Sequence, residues 1–303
     1  MSGGLTKLGT GTLTLTGASG FTGGTIVSGG TLQLAGAGVL AASGALNLTA
    51  SGATFDAATV TGPGVTVGAL SGAAGSQLTL GGKQLTFGDA SSSTFAGSIT
   101  GAGGSIFKQG LATSTFSGTN TYTGPTSVTA GTLRVNGSLA AASAVTVSAG
   151  ATLGGSGSVG GGVSVFSAGF LSPGNSIGTL EVGSAGVAGT LFVEYDGADA
   201  GSIDRLSVLG GFDLTSATVA FSSLGSPLDD PAYVFASYGS LTGSQFASVV
   251  DLPAGYQIDY AYQGSNIALI AVPEPSTLAL LAMSVGITVW VGRRSRRPGA
   301  SLA

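Results

Sequence analysis

"GLTKLGTGTLTLTGASGFTGGTIVSGGTLQLAG", Gly4 to Gly36, returns 101 positions later as "SIFKQGLATSTFSGTNTYTGPTSVTAGTLRVNG", Ser105 to Gly137. No gap is needed. Lys7 falls on Lys108, Leu15 on Phe116, Gly17 on Gly118 and Phe21 on Tyr122. Gly23 then falls on Gly124, Val27 on Val128, Gly30 on Gly131 and Leu32 on Leu133. Inside each copy a short strand, a glycine turn and another short strand follow one another. "TLTLT" (Thr12–Thr16) alternates with period two, so Leu13 and Leu15 share one face and the threonines the other. "TSVTAGTLRV" (Thr126–Val135) does the same around Ala130-Gly131.

Similar units run on in "ALNLTASGATF", "QLTLGGKQLTF", "AVTVSAGATL" and "GVSVF". No helical spacing occurs before residue 272. Strands this short cannot bury an apolar face alone. Coiled into stacked rungs, each pairs with the rung above and below at ~4.8 Å. Glycine at the corners supplies positive φ and avoids side-chain clashes. At roughly 20 residues per rung, residues 1–180 make about nine rungs. The expected class is therefore all-β, a parallel β-helix or β-solenoid. A β-sandwich of hairpins is the alternative.

Composition narrows the functional classes. The 303 residues include 56 Gly, are 43% hydrophobic and only 7% charged, with net charge -4. Disorder needs lower hydrophobicity and higher charge, and collagen needs glycine at every third position. With no Cys and no His, disulfides, zinc fingers, thiol catalysis and histidine general bases are excluded. Residues 1–180 carry Asp56 and Asp89 against Lys7, Lys83, Lys108 and Arg134. Residues 181–271 carry ten acids against Arg205 alone. No basic patch exists outside the tail, which argues against nucleic-acid binding.

The two copies resemble the autotransporter-associated β-strand repeat. Both keep Thr-Gly after the aromatic, Phe21-Thr22-Gly23 and Tyr122-Thr123-Gly124. "LSPGNSIGTLEV" (Leu171–Val182) extends the likeness weakly. That resemblance implies a right-handed parallel β-helix on the cell exterior. "STFAGSITGAG" (Ser93–Gly103) precedes the second copy, but its counterpart would fall before Met1. No charged and apolar leader stands at the start either. The expectation is that the sequence begins inside its domain.

From Glu181 to Ala271 the strands lengthen and glycine thins. "PAGYQIDYAYQGSNIALI" (Pro253–Ile270) reads as a hairpin around Gln263–Asn266. The region 181–271 is read as final wider rungs with a β-rich cap, or a small sandwich on the solenoid end. Its cluster Glu194, Asp196, Asp199 and Asp204 is a weak Ca²⁺ candidate, because carboxylates and loop carbonyls suit that ion. The spacing fits no known calcium loop, and a solvated turn explains it as well. Nothing in the pattern sets two carboxylates face to face, as a glycosidase requires. "GSGSVG" (Gly155–Gly160) has dinucleotide-loop spacing, but a strand and not a helix follows it. No catalytic residue, cofactor or metal is assigned. Phe21 and Tyr122 either stack in the core or offer a face to sugars.

The tail "VPEPSTLALLAMSVGITVWVGRRSRRPGASLA" (Val272–Ala303) is different in kind. After Pro273-Glu274-Pro275 comes an uncharged, mostly apolar stretch, then Arg293, Arg294, Arg296 and Arg297. As a helix, 276–292 spans ~25 Å. That is short of the ~30 Å hydrocarbon core, a gap closed by bilayer thinning and arginine snorkelling. One C-terminal transmembrane helix is expected, its arginine end cytoplasmic. The tail closely resembles a PEP-CTERM sorting signal. The resemblance implies recognition of Pro273-Glu274-Pro275 by an exosortase, a membrane protease that removes the helix. It also implies export to the cell surface or extracellular matrix of bacteria that make exopolysaccharide. The expected function is non-enzymatic, structural or adhesive. The alternative is a carbohydrate-binding or polysaccharide-degrading surface protein.

Overall fold

A computed structural model describes residues 3–198 and 203–273. Every regular element among them is a β-strand. Three sheets hold all of them, the first with twelve strands, the second with five and the third with fifteen. The first sheet starts at Leu5–Lys7 and ends at Ser248–Val250, and all its pairings are parallel. Nine of its twelve strands lie before residue 180, the ninth being Phe170–Pro173. The chain coils in the right-handed sense that parallel crossovers favour. This is the expected solenoid, and the sandwich alternative is excluded by the parallel ladders.

One turn illustrates the coil. Leu70–Gly72 lies on the first sheet, Gln77–Thr79 on the second and Gln84–Phe87 on the third. Alternation then sorts the side chains. On the second sheet Leu32, Phe55, Leu78 and Ile99 stand in register on successive turns, all fully buried. On the first, Leu133, Leu153, Leu171, Leu191 and Val219 do the same. Each such side chain contributes about 2 kcal/mol by leaving water. Intervening residues on the same strands face solvent, which is why threonine alternates with leucine or valine.

The turns widen towards the end. Leu5 pairs with Thr25, 20 positions on, but Thr190 pairs with Thr218, 28 on, and Thr218 with Ser248, 30 on. The first sheet passes from Phe170–Pro173 to Thr190–Tyr195 without interruption. Antiparallel ladders between strands enter only after this, the one earlier antiparallel contact among the described residues being the isolated bridge Gly155–Gly174. Ala232–Ser237 pairs with Asn266–Ala271, which pairs with Tyr256–Tyr262. The hairpin read around Gln263–Asn266 is present, with Gln263 at φ 50 and Gly264 at φ 98. It closes the third sheet, and its Tyr260 packs on Phe246 at the end of a series Phe221, Phe235, Phe246.

The 101-residue repeat is not a whole number of turns. In the first copy Leu5–Lys7 and Thr25–Val27 lie on the first sheet, and Thr12–Leu15 and Thr31–Gly36 on the second. In the second copy Ser105–Lys108 and Thr126–Val128 lie on the third sheet, and Thr113–Phe116 and Thr132–Val135 on the first. The same module therefore sits one face short of five full turns. The helix expected over 276–292 lies outside the described residues. Among those described, no helix is long and apolar enough to cross a membrane.

Candidate functional site

The repeat owes its turn to a buried lysine. Lys7 ends the strand Leu5–Lys7 and is 7% exposed; Lys108 ends Ser105–Lys108 and is fully buried. The Lys7 ammonium donates to the carbonyls of Leu8 (2.8 Å), Gly9 (2.8 Å) and Gly29 (3.0 Å). That of Lys108 donates to Gln109 (2.8 Å), Gly110 (2.9 Å) and Ala130 (3.2 Å). Each acceptor in the second set lies 101 positions beyond its counterpart. Each ammonium thus ties its own turn to the next rung's turn. An ammonium has three donors, and here three carbonyls that would otherwise be left without partners at a corner take them. Positive-φ glycines let the carbonyls converge: Gly9 at 70° matches Gly110 at 71°. Burial pushes the Lys108 ammonium down to about 8, with Asp89 opposing the shift. These lysines are fasteners, and they leave no charge for a ligand.

The aromatics Phe21 and Tyr122 go to the core. Tyr122 is fully buried and its hydroxyl is hydrogen-bonded to Thr126 Oγ1 at 2.6 Å, which in turn meets Ser143 Oγ at 3.2 Å. Burial raises the phenol to about 12. Phe21 packs half-buried against the same core. "GSGSVG" runs from the last residue of the strand Thr152–Gly155 into the strand Ser158–Val165, so a strand and not a helix follows its turn.

The acidic cluster is split by the fold. Glu194 is the penultimate residue of the strand Thr190–Tyr195, and Asp204 directly precedes Arg205–Val208. An antiparallel bridge between Tyr195 and Ile203 brings the two together. Asp204 is fully buried. Its Oδ1 accepts from the Gly178 N–H and its Oδ2 from the Glu194 N–H, both at 3.0 Å. Burial still wins, lifting the carboxyl to about 7, with the Glu194 charge adding to the rise. Asp196 faces outward and accepts from the N–H groups of Ala198 and Ser226, which hold it below the usual range. Asp199 lies outside the described residues. Among those described, no three His, Cys, Asp or Glu side chains group as a metal site. Asp204 clamps the loop Gly174–Gly178 to the hairpin after Thr190–Tyr195. Sequence reasoning missed this role, since its partners lie 26 and 10 positions away.

Of the tail motif, Pro273 is the last described residue and is exposed. Glu274, Pro275, Arg293, Arg294, Arg296 and Arg297 lie outside the described residues. Comparison with known families covers both ends of the chain. Residues 5–34 and 106–135 match the family described as Passenger-associated-transport-repeat. Residues 271–297 match the PEP-CTERM protein-sorting motif. No curated protein matches the chain. The chain thus carries two passenger-associated-transport repeats, each closed by a buried lysine, and a PEP-CTERM protein-sorting motif over residues 271–297.

Proposed function

We propose that the protein is an exported, non-enzymatic surface or matrix protein with a structural or adhesive role, delivered through its PEP-CTERM tail. The observation that carries this reading is the joining of one continuous parallel ladder to a sorting motif. In this reading an exosortase-type membrane protease recognises Pro273-Glu274-Pro275. The segment 276–292 holds the chain in the membrane until it is cut, and Arg293, Arg294, Arg296 and Arg297 stop it there. The stack suits service outside the cell because its strength comes from backbone pairing and apolar columns, with no disulfide or metal to lose. The strongest acid–base candidate also supports a non-enzymatic role. Asp204 has no exposed surface and both its oxygens accept backbone N–H groups, so no substrate reaches it.

The test places the full chain behind a secretory signal in an exosortase-bearing bacterium, with an epitope after Ala303. The epitope should be lost from the surface form and retained in an exosortase deletion. Replacing Pro273, Glu274 and Pro275 with alanine should also retain it. An epitope that persists beside a working exosortase overturns the delivery reading, and turnover of any polysaccharide by the purified chain overturns the non-enzymatic one.

A further inference from the structure

The outward face of the first sheet changes character between residues 132 and 194. Register sets Thr113, Thr132, Thr152, Phe170, Thr190 and Thr218 in one row along the solenoid. Neighbours in such a row stand ~4.8 Å apart. The next row runs through Arg134, Gly154 and Ser172, and by the same register reaches Phe192 on the following turn. A depression of about 120 Å³ opens beside Gly154, lined by Thr132, Arg134, Thr152, Ser172, Ser176 and Glu194. It has room for roughly four waters, so it grips the edge of something lying across it and does not enclose a ligand. Arg134 is exposed and Glu194 half-buried. Neither side chain makes a hydrogen bond or ion pair with another described residue. Phe170 is 39% exposed and Phe192 half-buried.

We infer that this trough binds an extended, neutral polysaccharide, laid along the threonine row with sugar faces on Phe170 and Phe192. The chemistry selects that partner. Threonine and serine hydroxyls both donate and accept, the guanidinium only donates, and the carboxylate only accepts. A sugar edge offers vicinal hydroxyls to all three, and its apolar ring face covers exposed phenyl groups. A polyanion is disfavoured by Glu194 and by the nine other acids of residues 181–271. An extended peptide prefers a free strand edge. Every strand beneath the trough is already paired on both sides. The inference concerns this face alone and does not depend on how the tail is processed.

The full chain, purified in mild detergent, would be run in native gels containing hydroxyethylcellulose, polygalacturonate or casein. Hydroxyethylcellulose should retard it. Phe170→Ala and Arg134→Ala should each weaken that retardation at least tenfold while leaving the thermal transition in place, since both side chains are exposed. Phe166→Ala, at an exposed phenylalanine outside the trough, should change nothing. Absence of retardation by hydroxyethylcellulose overturns the inference. So does equal loss from Phe166→Ala, or Arg134-dependent retardation by polygalacturonate or casein alone.

Discussion

Single residues carry charge into the interior only where backbone groups receive it. Lys108 is the clearest case, with three carbonyl acceptors and no exposed surface. Replacing it with methionine keeps the apolar stem and strands the three carbonyls. The Lys108→Met chain should lose about 3 kcal/mol, read from urea unfolding. Lys83, which reaches only the Gly62 carbonyl at 3.1 Å, should lose about 1 kcal/mol by the same change. Asp204 gives a pH signature. Its carboxyl rises from 3.8 to about 7 on folding, so between those values the folded chain holds a proton that the unfolded chain has released. Stability from this group is therefore full below 3.8 and lost as pH climbs to about 7. With no His and no Cys, few other groups titrate in that window. The melting temperature should fall between pH ~5 and ~7, below the range in which the Lys108 ammonium, lowered to about 8, and the α-amino group lose their protons. Asp204→Asn should remove most of that slope. It should also melt lower at the acid end, because its amide must turn an N–H towards one of the two backbone donors.

At the level of elements, the corners decide whether strands can stack. Gly97, Gly118, Gly137 and Gly157 form a column on successive turns. A Cβ added at any of the last three would land on the carbonyl oxygen of the glycine one turn before. Two of those oxygens are occupied: Gly118 accepts from Ser138 N–H at 3.1 Å and Gly137 from Ser158 N–H at 2.9 Å. Gly137→Ala should cost about 2–3 kcal/mol by forcing two turns apart. Gly186, around which a Cβ meets nothing within 4 Å, should tolerate alanine to within about 0.5 kcal/mol. Thermal unfolding of both variants separates a corner requirement from a general liking for glycine. The sequence shows that these strands are short, alternating and glycine-flanked, and stacking follows because nothing else buries Leu32, Leu78 or Leu153. It does not show which corner glycines are indispensable, since that depends on which carbonyl lies one turn away.

For the whole molecule, what could be read in advance was whatever repeats locally. The nine turns before residue 180 and the closing hairpin around Gln263–Asn266 were legible from period-two alternation and turn residues. The lysine fastener left a signal, Lys7 recurring as Lys108 before a glycine, but its three acceptors are main-chain atoms that no sequence displays. The trough left almost none. Thr132, Thr152 and Phe170 are 20 and 18 positions apart, and unequal turn lengths conceal that they share a line. The buried state of Asp204 was hidden for the same reason, because the 28-residue turn from Thr190 to Thr218 folds a hairpin over a loop from the turn before.

The second repeat copy, set one face round from the first, has an implication for how such chains diversify. A module that fastens its own bend needs no fixed compass bearing on the shaft. Duplication or loss of a copy therefore re-aims every downstream panel without undoing any join. Lineages can swap what they present to their surroundings while the carpentry underneath stays constant.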